Sequence, residues 1–126
     1  MRGRGAGGSS AVNAMAALRG TPDDYDRWAG ELGCPGWGWR EMLDAFLHVE
    51  DDLDYGGDGL HGKGGPIPLW RVAPDATPPL DHALHAAMTE LGYPVNDDYH
   101  APGATGLSRI ARTMRDGIRV STNDAY

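Results

Sequence analysis

Glycine and proline decide what this chain can build. Nineteen glycines and nine prolines stand among its 126 residues, so turns are frequent and ordering the backbone costs much entropy. Apolar side chains offset little of that cost. Leucine, isoleucine, valine and phenylalanine number 20; that share, about 16%, is below the roughly 20% at which disorder becomes the expectation. Four tryptophans, five tyrosines and clear helical spacing argue for a folded chain instead. The length suits one domain, and the thin core implies a folded piece that leans on a larger body.

Charge narrows the functions. A net charge of −7 gives no footprint for nucleic acid or an anionic membrane, because phosphate contact needs clustered lysine and arginine. Only Arg109, Arg112, Arg115 and Arg119 lie close together, and they are expected to pair with the surplus acids. Cys34 is the single cysteine, which excludes an internal disulfide or a Cys-based zinc site and fits a reducing, cytoplasmic compartment. No apolar run approaches the roughly 20 residues of a membrane span, and the start lacks a signal-peptide core.

Local signals predict an α+β fold of helices and short strands. Residues 2–8 read as a glycine loop, and Ser9 or Ser10 is expected to cap a helix over about 10–18. Thr21-Pro22-Asp23-Asp24 starts a second helix near 22–32, with Tyr25, Trp28 and Leu32 at helical spacing and Gly33 as its stop. A third is predicted near 40–52, with Met42, Ala45, Phe46 and Val49 on one face, and a fourth near 79–91, with Leu80, Leu84, Met88 and Leu91 as its stripe. "PIPLWRV" reads as an edge strand, since proline cannot donate to a ladder. Asp116-Gly117 marks a hairpin, and "STNDAY" begins another helix.

Several motifs carry less than they promise. "GRGAGG" (Gly3, Gly5, Gly8) spells a dinucleotide fingerprint, but that motif needs a strand directly before it. "GDGLHGKG" nearly spells a P-loop, yet Gly64 stands where a Ser or Thr must reach magnesium. His82 and His85 share a helix face without a third ligand at matching spacing, so surface histidines are the expectation. Asp51, Asp52, Asp54 and Asp58 depart from the EF-hand pattern and are expected to sit in a solvated loop.

The opening stretch is more specific. "RGRGAGGSSAVNAMAALRGTPDDYDRW" resembles the signature of the glucose–methanol–choline (GMC) family of flavin-dependent oxidoreductases, through Gly7-Gly8, Ser9-Ser10, Val12, Asn13 and Gly20. The resemblance continues in order through "CPGWGW", "HGKGGPIPL", "ELGYPVNDDYHAPGATG" and "RDGIRVSTNDAY", covering essentially the whole chain. Ala6 departs from it, standing where the family has a larger aliphatic residue. Physically, glycines let a flat ring and a pyrophosphate approach the backbone, and the N-terminus of a following helix would favour negative charge.

The resemblance implies FAD as cofactor, contacted by Gly7, Gly8, Ser9, Asn13, Ala14, Met15 and Ala16, with Asn13 giving a side-chain hydrogen bond. Some members attach flavin through a histidine just before the Asn; Val12 stands there, so the flavin should be non-covalent. It further implies that residues 1–20 are the flavin-contacting part and 21–126 the remainder, with elements of both the FAD-binding and the substrate domain of a two-domain fold. The expected reaction is oxidation of the CH–OH group of a small alcohol with hydride transfer to flavin. The family's ADP-binding unit precedes this region and its catalytic histidine follows it. None of His48, His61, His82, His85 or His100 matches that base. The chain is therefore expected to be an internal fragment, inactive alone and partnered by the missing parts of its fold. A non-catalytic binding module that retains the fold's surface is the alternative, and flavin absorbance separates the two.

Overall fold

The structure, a computed structural model, describes residues 2–126. Its centre is a small mixed sheet of β1 (Glu50–Asp52), β2 (Ile67–Arg71) and β3 (Ala111–Arg112), in the order β1-β2-β3. β1 and β2 run parallel, with Glu50 beside Ile67 and Asp52 beside Leu69. β2 and β3 run antiparallel, with Arg71 opposite Ala111. The opening segment adds a fourth edge: Ala16 bridges Arg112, Ala17 N–H donates to Ala111 O, and Thr113 N–H donates to Met15 O.

β2 is central rather than the edge strand its prolines predict. β3 pairs only with Trp70 and Arg71, so Pro68 lies where the strand has a single neighbour and needs no second donor. The link from β1 to β2 is a glycine-rich loop, not a helix. It returns tightly against the end of the preceding helix: a Cβ on Gly62 would stand 2.6 Å from Leu47 O, and one on Gly65 would stand 2.5 Å from Glu50 O. Only glycine permits that approach.

Two helices pack beside the sheet. In α1 (Pro22–Gly30), Thr21 and Asp24 form a reciprocal capping box, and both Thr21 contacts hold the Asp24 carboxyl below its usual pKa. α2 spans Trp39–Val49 and stops earlier than its spacing predicts, because Glu50 turns extended to enter β1. The two helices meet through aromatic rings: Tyr25 lies 5.4 Å from Trp28, 6.0 Å from Trp39 and 5.9 Å from Phe46, centroid to centroid.

α3 (Pro79–Glu90) forms where the sequence places it, yet buries none of its residues. Leu80, Leu84 and Leu91 are 78%, 59% and 73% exposed. Tyr25, Leu69 and Ala111 are the buried hydrophobic residues among those described. The accessible surface is 8263 Å², whereas a self-contained protein of this mass exposes about 6,500 Å². The apolar stripe is thus written for a neighbour, as the thin core implies. β4 (Met114–Arg115) and β5 (Ile118–Arg119) form the hairpin turning at Asp116-Gly117. Ser121 and Asp124 then cap α4 (Thr122–Ala125) with a second capping box.

The helix expected over 10–18 is absent. In its place stands a four-residue 3-10 turn, Gly8–Ala11. Gly7 and Gly8 take positive φ, 80° and 51°, and Met15 takes 63°. Asn13 Oδ1 accepts the Met15 N–H at 3.0 Å, a side-chain turn that competes with helix formation. Beyond it, the backbone bonds of residues 15–17 go to β3. Sheet pairing overrides local helix preference here.

Candidate cofactor site

The glycine loop has a packed face and a bare one. On the packed face, a Cβ at Gly7 would stand 3.0 Å from Ser121 Oγ and 3.5 Å from Asn123. Ser10 ties the loop to α4: its hydroxyl accepts the Thr122 N–H at 2.9 Å and donates to Gly7 O at 2.5 Å. Ser10 therefore caps the start of α4 rather than a helix of its own. On the bare face, a Cβ at Gly5 or Gly8 would meet nothing within 4 Å. Ser9 is exposed, and its hydroxyl accepts the Gly3 N–H at 3.4 Å.

Asn13, Ala14 and Ala16 are exposed in the same segment, with Met15 half-buried between them. The seven expected contacts thus lie on one continuous stretch, Gly7 to Ala16, whose backbone follows the loop and then β3's edge. Arg119, reaching across from β5, donates to Asn13 Oδ1 at 2.8 Å, to Asn13 O at 2.7 Å and to Ser10 O at 2.9 Å. A flat cofactor fits the residues present on one test: bare glycine backbone faces outward where a side chain would block approach. The helix-dipole argument does not hold, because a four-residue 3-10 turn carries no such field.

A buried polar cluster lies behind this segment. Arg71 and Asp52 are buried, and Arg71 also reaches Asp54 at 3.2 Å and Asp98 at 3.3 Å. Burial alone would raise the Asp52 pKa, but the Arg71 hydrogen bond, the Tyr55 and Asp54 N–H groups and the Arg71 charge hold it below the usual carboxylate range. His61 sets Nδ1 against Asp58 at 2.8 Å, and its Nε2 lies 3.2 Å from Asp98 without hydrogen-bond alignment. His100 Nε2 faces Ala17 O at 3.0 Å, so that nitrogen carries the proton. Burial pushes the His100 pKa down. Arg19 pairs with Glu50 beside it, its guanidinium 4.9 Å above the Phe46 ring.

This cluster corrects two expectations. Asp54 and Asp58 are exposed as expected, but Asp52 is buried and Asp51 half-buried: Asp51 accepts from Gly64 N–H and Arg115, and the other three serve Arg71 or His61. The four late arginines do not all pair with acids. Arg115 does, at 2.8 Å from Asp51, whereas Arg109 donates to Val72 O and Arg119 to the loop. Sequence reading also missed Arg71, Asp98 and His100; Asp98 and His100 carry only the signal of one ordered block, and Arg71 only its place in the strand run "PIPLWRV". Asp52, His61 and His100 bring ligand atoms within 4.8 Å of one another. A cation does not suit them, since Arg71 occupies both Asp52 oxygens and would face the ion across a dry interior.

The GMC oxidoreductase profile matches residues 1–126. The chain belongs to the GMC oxidoreductase family. It is 39% identical over 125 residues to pyridoxine 4-oxidase of Microbacterium luteolum, covering 99% of this chain and 24% of that protein. It is 39% identical over 127 residues to glucose dehydrogenase (FAD, quinone) of Drosophila melanogaster, covering 99% and 20%. The crystal structure of pyridoxine 4-oxidase from Mesorbium loti superposes with a TM-score of 0.89 at 41% identity, over 99% of this chain and 24% of that one. The GMC chain therefore spans about a fifth to a quarter of these relatives' length. Its α+β fold is that of the family's FAD-binding region, and FAD is the cofactor of that region. Among the described residues, no helix is long and apolar enough to cross a membrane.

Proposed function

We propose that residues 1–20 form a flavin-contacting wall in an FAD-dependent oxidoreductase that oxidises the CH–OH group of a small alcohol. Residues 21–126 are the remainder, including elements that border the substrate. The carrying observation is the bare face of the loop at Gly5 and Gly8, continued by exposed Asn13, Ala14 and Ala16.

FAD, when bound, supplies the two-electron acceptor. Gly8 admits it to the backbone, Gly7 turns the loop beside it while packed on Ser121, Ser9 and Asn13 offer polar contacts, and Ala14, Met15 and Ala16 line its edge. With Val12 before Asn13, binding is non-covalent. No histidine here suits the base: His61 and His100 are buried in the polar cluster, and His48, His82 and His85 lie exposed on α2 and α3. The base therefore comes from outside residues 1–126, and the chain alone is inactive. Its partners are the alcohol and the rest of its own fold, not nucleic acid, and exposed Cys34 fits the cytoplasm.

The flavin-to-protein ratio tests this reading in the full-length protein. Gly8→Val places a branched side chain on a backbone at φ 51° and fills the open face; flavin should be absent from the folded fraction. A full complement of flavin in that variant would overturn the cofactor wall.

A further inference from the structure

Asn13 has one amide orientation, imposed by the Met15 backbone two residues on and by Arg119, 106 residues away. Its Oδ1 accepts from Met15 N–H at 3.0 Å and from Arg119 at 2.8 Å. Turning the amide over would set its two N–H groups against two other donors. Both acceptor positions of Oδ1 are thereby engaged, and Nδ2 makes no hydrogen bond among the described residues. Arg119 holds more than the side chain. Its second nitrogen takes Asn13 O, and the first also takes Ser10 O, so the planar fork grips the loop by three oxygens.

We propose that Arg119 is a positioning residue for the flavin. By fixing Asn13 Oδ1 inward, it presents Nδ2 outward as a donor, never as an acceptor, to an acceptor atom of the flavin ring. The inference rests on the cofactor-wall reading and adds the residue that sets its polarity. A ring carbonyl or ring nitrogen suits such a donor; the ring's own N–H does not. A phosphate oxygen would accept the same N–H, and the spectrum separates the two, because only a ring contact perturbs the visible bands.

The experiment uses full-length, FAD-loaded protein and reads the flavin dissociation constant, the visible spectrum and the reduction potential. Asn13→Asp keeps an acceptor for Met15 and Arg119 but lacks the donor. It should fold normally, weaken flavin binding about five- to thirtyfold, shift the visible bands and lower the potential. Arg119→Met should reproduce those changes, Arg119→Lys should recover part of them, and added guanidinium ion should restore an Arg119→Ala variant. In an Asn13→Ala background, Arg119→Met should add little, since both act through one contact. Wild-type affinity and spectrum in Asn13→Asp and Arg119→Met, with Gly8→Val still losing flavin, would overturn this proposal alone. Flavin retained in all three would overturn the wall as well. Weakened binding with an unchanged spectrum would assign the donor to phosphate and likewise overturn it.

Discussion

Arg71 meets both oxygens of Asp52, at 2.9 and 3.0 Å, with their side chains 1% and 0% exposed. Removing Arg71 leaves Asp52 charged and buried without its cation, a change that costs about 3–5 kcal/mol; removing Asp52 leaves Arg71 with only the less buried Asp54 and Asp98. Arg71→Met and Asp52→Leu should each unfold the sheet at lower denaturant. The double variant should recover much of the loss, because the orphan charge is gone. Urea titrations of the three variants check this; a double variant as weak as the sum of the singles would refute it.

Met15 holds φ at 63° without being glycine, a conformation that costs an ordinary residue about 1–2 kcal/mol. Met15→Gly relieves that strain while removing a half-buried side chain. Met15→Val removes fewer atoms but forces a β-branched residue into the same backbone. Stability should therefore rank Gly above Val, the reverse of the order set by side-chain size. Denaturation midpoints of the two variants decide it.

His100 is held below its ordinary pKa by burial first and by the Arg19 charge, against the opposing pull of Ala17 O, Asp98 and Glu50; the His61 ring stacks 5.9 Å away. In the unfolded chain it binds a proton as pH falls through about 6.5; in the fold it resists. Stability should be undiminished above that pH and fall below it, by at most about 1.4 kcal/mol per pH unit, until the lower folded pKa is reached. Asp52, also depressed, adds its own loss only at lower pH, below the usual carboxylate value near 4. His100→Gln should flatten the first phase and leave the second, as read by thermal midpoints across pH.

Ser10 bridges the loop and α4, accepting the Thr122 N–H and donating to Gly7 O. Ser10→Ala removes both contacts, at a cost of about 1–2 kcal/mol. Amide exchange should accelerate at Thr122 and around Gly8, while the amides of α2 keep their protection. Uniform acceleration would mean that the bridge stabilises the whole chain rather than this junction.

The features legible in the sequence are those written within a few residues. α3 follows from its apolar period, the hairpin from Asp116-Gly117, and both capping boxes from a hydroxyl and an acid three residues apart. The opening helix misled because Ser10 caps a helix 112 residues away, and because β3 claims the backbone of residues 15–17. Asp52 read as solvated because Arg71 stands 19 residues on. Motif order carried the family; it could not carry the clamp on Asn13, since an arginine in a hairpin has no local signature for its target.

The clamp also sets an order of events during synthesis. Asn13 leaves the ribosome 106 residues before Arg119, which at cellular elongation rates is about 5–20 s. Throughout that interval the loop lacks its three arginine contacts and its bridge to α4. The cofactor-facing segment is therefore synthesised well before the arginine that completes it, so flavin capture belongs after translation of the hairpin, not alongside the glycines that announce it.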